Sequence, residues 1–132
     1  MKVVLDTNIL ISAALSPKGN PAKIIELIAD NQEVQVFYCK DILAEYKEVL
    51  SRPRLNIDHK MSIRVMDLIK KTGILIKPTP GDIPLPDESD RIFYDTARTA
   101  GAILITGNIK HYPIETFIMS PFDFLKKVVE YK

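Results

Sequence analysis

Short runs of uninterrupted apolar residues alternate along this chain with longer stretches in which apolar residues recur every three or four positions. The first run, "KVVLD", takes three apolar side chains straight into an aspartate and predicts a buried strand over residues 2 to 6. Asn20 and Pro21 supply an N-cap and a first-turn proline for "PAKIIELIAD", where Ile24, Ile25, Leu27 and Ile28 make one helical face. "EVQVFY" reads as a second strand, and "KDILAEYKEVLSR" as a helix ending at Pro53 with Ile42, Tyr46, Val49 and Leu50 on its apolar side. A further helix covers residues 59 to 72 and stops at Gly73, followed by the strand "ILIK" and a loop, "PTPGDIPLPDES", that holds four prolines. Residues 88 to 100 are again helical, with Gly101 as the C-terminal cap. "AILIT" and "FIM" are two more strands, and Ser120 and Pro121 open a last helix through "FDFLKKVVE".

Strands that are apolar throughout and alternate with helices imply a parallel sheet covered on both faces. The expected fold class is therefore α/β, a three-layer α/β/α sandwich. At 132 residues the chain has the length of one ordinary domain, and residues 1–132 are read as such. No apolar run approaches the roughly 18 residues of a membrane span, and the N-terminus lacks signal-peptide features, so the expected location is the cytoplasm, with no membrane partner. Lys and Arg total 18 against 17 Asp and Glu, so a nucleic-acid partner would have to be held by a local patch. One cysteine and two histidines exclude an internal disulfide and argue against a structural zinc site.

In such sheets ligands bind beyond the carboxyl ends of the strands. Asp6 ends the first strand, and Thr106 and Asn108 follow the strand "AILIT". Glu45 lies three residues after Ile42 and four before Val49, on the flank of its helix's apolar stripe, and Asp90 stands in the first turn of its own helix. If both helices point these residues at the strand ends, three carboxylates share one cleft. Their repulsion calls for a cation, and a hard divalent ion such as Mg²⁺, which takes oxygen ligands and keeps several waters, suits that set. Each acid also has a plainer role: Asp6-Thr7-Asn8 as a helix cap, Glu45 as a solvated flank residue, Asp87, Glu88 and Asp90 as partners of a helix dipole. Asp41, Glu48 and Asp95 are assigned to the surface.

The segments "VVLDTNILISAALSPKGNPAKII", "ILAEYKEVLSRPR", "PDESDRIFYDTARTAGAILITGN" and "SPFDFL" together resemble, in order and over nearly the whole chain, the PIN-domain proteins, in particular the toxin components of toxin–antitoxin pairs. The resemblance implies a Rossmann-like sandwich with an opening strand and helix, and a Mg²⁺- or Mn²⁺-dependent ribonuclease. It places the catalytic and metal-holding acids on Asp6, Glu45 and Asp90, with Asp87 assisting, Thr7 or Asn8 orienting the cluster and Thr106 behind it. Where the family commonly has Thr-Gly-Asp, this chain has "TGN", so the fourth position of the metal site is the neutral Asn108. Lys18, Arg52, Arg54, Lys110 and His111 fall near the cleft as contacts for RNA phosphates. An antitoxin partner and a homodimer are also implied. The competing reading is a non-catalytic PIN domain that binds RNA or protein. A receiver domain lacks its phosphoacceptor in "ILIKPTP", and an aspartyl phosphatase would want an acid where Asn8 stands.

Overall fold

In a computed structural model describing residues 1–30 and 33–131, five short strands make one sheet. They are β1 (Lys2–Leu5), β2 (Gln35–Tyr38), β3 (Ile74–Leu75), β4 (Ile103–Ile105) and β5 (Ile118–Met119). All neighbours are parallel, in the order β3-β2-β1-β4-β5. The central strand is the most apolar: Val3, Val4 and Leu5 are fully buried, and each such side chain contributes about 1.5–3 kcal/mol. Among the described residues, six helices cover the sheet: α1 (Thr7–Leu15), α2 (Asn20–Asp30), α3 (Lys40–Leu50), α4 (His59–Thr72), α5 (Arg91–Ala100) and α6 (Pro121–Tyr131). The architecture is the three-layer α/β/α sandwich read from the sequence. Among the described residues no helix is long and apolar enough to cross a membrane.

Helix α5 packs on β1, β2 and β4, while α1 packs against α2, α3 and α4, and α2 against α6. Chain direction reverses its progress across the sheet between β1 and β4, since β1 leads on to β2 on one side and pairs with β4 on the other. The crevice beyond that pair is the position where such sheets place their ligands.

Several element ends follow local chemistry named above. Helix α4 has the bounds expected and stops at Gly73, whose φ of −83° is ordinary. A Cβ there would lie 2.4 Å from the Ile69 carbonyl oxygen and 2.8 Å from the Tyr38 ring, so close packing of α4 on β2 demands glycine. Gly101 ends α5 in the left-handed region at φ 64°, and the Ala102 N–H closes the turn onto the Ala97 carbonyl at 2.9 Å. Ser120 Oγ accepts the Asp123 N–H at 3.1 Å and caps α6.

Other expectations need correction. The sequence pattern left residues 7 to 15 without a periodic element; they form α1, which begins as soon as β1 ends. The helix expected from residue 88 divides into a 3-10 turn over Glu88–Asp90 and α5 proper from Arg91, and each of the strands β1 to β5 is shorter than the segment expected for it. Asp95 is not a surface residue. It is buried, accepts the Gly81 N–H at 3.2 Å and lies between the guanidinium groups of Arg91 and Arg98. Asp41 and Glu48 are exposed, as expected.

Candidate metal centre

Asp6 leaves the end of β1 at the β1–β4 crevice, and its backbone N–H still bonds the Ile105 carbonyl of β4 at 3.0 Å. The side chain is buried, and one oxygen, Oδ2, accepts the Thr106 hydroxyl at 2.8 Å and the Tyr112 hydroxyl at 3.0 Å. Thr106 Oγ1 accepts in turn the Asn108 backbone N–H at 3.0 Å. Two donors on one oxygen fix the carboxylate plane and leave Oδ1 without a protein donor among the described residues.

Helix α3 is stitched to the same strand end by two consecutive residues. The Tyr46 hydroxyl donates to the Leu5 carbonyl, one residue before Asp6, and Thr7 Oγ1, one residue after it, donates to the Glu45 carboxylate. Burial first, then the charges of Asp6 and Glu45, push the Tyr46 phenol well above its usual pKa, so it stays a donor. Asn8 Oδ1 accepts the Gly107 N–H at 3.0 Å, tying the start of α1 to the turn after β4.

The third arm comes from the 3-10 turn before α5. Asp87 caps it by accepting the Ser89 N–H at 3.0 Å, and Asp90 closes it. Asp87, Asp90 and His111 each present a ligand atom within 4.8 Å of the others. Asp90 Oδ2 is buried and, among the described residues, without a hydrogen-bond partner, while His111 Nδ1 stands 3.7 Å away, beyond hydrogen-bond length. Burial, followed by the charges of Asp6 and Asp87 and more weakly of Glu45, pushes the Asp90 carboxyl up to about 6; His111 opposes the shift. Asp6 and Glu45, from two other elements, are thus near enough to Asp90 for their charges to raise it. Tyr112 feels them too: burial first and then Asp6, Asp90 and Glu45 raise its pKa far above the usual phenol range.

An orphaned, buried carboxylate oxygen surrounded by further carboxylates is what a hard divalent cation would relieve, and the donor set is the oxygen-rich kind that Mg²⁺ and Mn²⁺ prefer. The residues present therefore fit such an ion. Of the acids named from the sequence, Asp90 belongs to the close group with Asp87 and His111, whereas Asp6 and Glu45 lie outside that group and reach Asp90 through their charges; Thr106 bonds Asp6, Thr7 bonds Glu45, Asn8 bonds the Gly107 N–H and Asp87 the Ser89 N–H. His111 is exposed and stands beside Asp90, with Nδ1 3.7 Å from Oδ2. The Asn108 side chain is exposed. Arg52 is forked onto Glu48 at 2.8 and 3.1 Å, and Glu48, then Glu45 from further off, raise its pKa. Lys18, Arg54 and Lys110 are exposed, and among the described residues none of them is hydrogen-bonded to the acids. Tyr46 was read from the sequence only as an apolar-face residue, and Tyr112 escaped that reading, although a tyrosine closing the charged segment "NIKHY" offered a signal.

The raised Asp90 carboxyl carries a sign for stability. Between pH 4 and about 6 the folded chain binds a proton at Asp90 that the unfolded chain has released, so metal-free stability falls as pH rises through that window. The groups facing it are Asp6, Glu45, Asp87 and His111. We expect thermal melts in EDTA to show a lower Tm at pH 7.5 than at pH 5, by an effect on the order of 1 kcal/mol after solvent screening. Asp90→Asn should flatten that dependence; an unchanged slope in the variant would assign it elsewhere.

Comparison with known proteins bears on the family and the fold. The family model for the PIN domain matches residues 2–110. An uncharacterized protein of Methanocaldococcus jannaschii is 31% identical over 111 residues, covering 82% of this chain and 71% of that protein. Among solved structures, VapBC2 from Rickettsia felis, crystallised with a DNA fragment from its promoter, superposes with a TM-score of 0.58 over 91% of this chain and 97% of the matched one, at 19% identity, and so speaks for the fold. With a family model spanning most of its length, including β1, α3, the Asp87–Asp90 turn and β4, this chain belongs to the PIN-domain family.

Proposed function

We propose that this protein is a Mg²⁺- or Mn²⁺-dependent endoribonuclease. The observation that carries the reading is the buried, unpartnered Asp90 oxygen in electrostatic reach of Asp6 and Glu45 at the β1–β4 switch point. Asp6, Glu45 and Asp90 would hold the ion, with Asp87 and Asn108 at its margin. A divalent ion bound there supplies an activated water at neutral pH and offsets the charge that builds on a phosphate. The chain's own contribution is orientation. Thr106 and Tyr112 hold one oxygen of Asp6 so that the other faces the cleft, Thr7 holds Glu45, and the Asp87 turn presents Asp90. Lys110 and His111, on the 3-10 turn Ile109–His111, together with Lys18 and Arg52, would bind RNA phosphates.

Read with the sequence resemblance to PIN-domain toxins, the fold shared with VapBC2 supports a role as the toxin of a toxin–antitoxin pair, with a cognate antitoxin as partner; a homodimeric assembly and a place in the cytoplasm complete the proposal. Asn108 favours a second reading, in which the neutral position leaves a domain that binds RNA or protein without cutting it. The test is incubation of the purified protein with defined single-stranded and hairpin RNAs in Mg²⁺, Mn²⁺ or EDTA, with product ends mapped. Metal-dependent cuts support the nuclease, and intact RNA that is nonetheless retained supports the binding module.

Asn108→Asp separates these readings further. A fourth charge beside the cation should tighten Mn²⁺ binding several-fold and lower metal-free Tm, because attraction to the ion exceeds carboxylate repulsion only once the ion is present. Equal Mn²⁺ affinities and equal metal-free Tm would place residue 108 outside the cluster.

A further inference from the structure

The segment that delivers Asp87 and Asp90 contains four prolines and, from Pro78 to Asp90, no strand and only the Glu88–Asp90 turn. Its position is instead set by α5. Arg91 Nη1 donates to the Gly81 carbonyl at 3.1 Å and Nη2 to the Ile83 carbonyl at 2.6 Å, while Nε and Nη2 fork onto Glu88 at 2.6 and 3.1 Å. Glu88 Oε1 also accepts the Leu85 N–H at 3.2 Å, so one guanidinium gathers residues 81 to 88. Arg98 Nη2 donates to the Thr79 carbonyl at 3.0 Å, and the Thr79 N–H donates to Thr99 Oγ1 at 2.9 Å. Behind both arginines lies the buried Asp95 carboxylate, 3.5 Å from Arg91 and 4.0 Å from Arg98, accepting the Gly81 N–H. A Cβ on Gly81 would stand 2.9 Å from Asp95 and 3.0 Å from Arg98, so the backbone approaches as closely as glycine allows.

A buried carboxylate in an otherwise solvated helix face is costly unless it is paired, and pairing it with two arginines that both grip one loop orders that loop. Resting on the metal-site reading above, we infer that Asp95 and Arg91 are positioning residues: their clamp on residues 81–88 fixes the turn that carries Asp87 and Asp90 and so sets the geometry of the cation site. Neither side chain touches the acids themselves. Preorganisation of ligands by a supporting shell commonly changes metal affinity by about 10- to 100-fold.

The test uses Asp95→Asn, which keeps volume and an acceptor for Gly81, and Arg91→Lys, which keeps charge but loses the fork. Amide hydrogen exchange followed by NMR and calorimetric Mn²⁺ titration are read on both variants and the wild type. The clamp predicts that the Ser89 and Asp90 amides, hydrogen-bonded inside the turn, exchange about tenfold faster in both variants, with β1 and β4 amides unchanged and Mn²⁺ bound about tenfold more weakly. Faster exchange confined to Gly81, with turn amides and Mn²⁺ affinity as in the wild type, would overturn it. A wild-type protein that takes up no Mn²⁺ would overturn the metal reading instead, and the turn amides alone would then decide the clamp.

Discussion

Asp6→Asn is expected to fold normally and to lose RNA cleavage by about a thousandfold or more. The amide oxygen can still accept the Thr106 and Tyr112 hydroxyls at Oδ2, so the link from β1 to β4 and the segment after it survives. What disappears is one unit of negative charge at the buried centre of the cluster, where a hard cation gains most from it. Without metal the same change relieves repulsion, and Asp90, whose carboxyl is raised by burial and then by Asp6, should become easier to ionise. Metal-free Tm therefore rises while activity collapses, a pairing that a folding defect cannot produce. Asp41→Asn, at an exposed first-turn position of α3, is the control and should alter neither. Thermal melts in EDTA beside cleavage assays in Mn²⁺ check both halves; near-wild-type cleavage by a stable Asp6→Asn protein would remove Asp6 from the site.

Removing metal from the wild type should abolish cleavage altogether, and restoring it should stabilise the fold. An ion that binds only the folded chain adds about 2.7 kcal/mol at one hundred times its Kd, and for a domain of this size each kcal/mol moves Tm by roughly 2–4 °C. Saturating Mn²⁺ is thus expected to raise Tm by about 5–10 °C, with the larger gain at pH 7.5, where Asp90 is ionised, than at pH 5, where protonation competes. Scanning calorimetry at two pH values measures this. A Tm indifferent to Mn²⁺ at both would mean that the acids are balanced by something within the protein.

How much of this was written in the sequence differs from element to element for physical reasons. Strands β1 and β4 declared themselves because both faces are covered and their residues are apolar without alternation, and α4 because its buried Val65, Met66 and Ile69 recur at helical spacing against an otherwise polar face. Helix α1 was hidden because it packs against α2, α3 and α4, so apolar residues fall on more than one side and the periodic contrast fades. The acids at 6, 45 and 90 stood out as candidates because each interrupts or flanks an apolar pattern at a strand end or helix start. Tyr46 was legible only as core, since no pattern reveals that its hydroxyl meets the Leu5 carbonyl. Asp95 was misplaced because a charge on a helix reads as surface. Arg91 and Arg98, four residues before and three after it, were the available sign that its charge is compensated within the same helix.

Calorimetric titration of Mn²⁺ into the wild-type chain and into Asp6→Asn and Asp90→Asn, at pH 7.5 after exhaustive EDTA treatment, tests most directly whether the converged carboxylates form a cation site. Saturable binding by the wild type, weakened at least tenfold in each variant, is the predicted result. Absent binding by the wild type, or affinity unchanged in both variants, would contradict it.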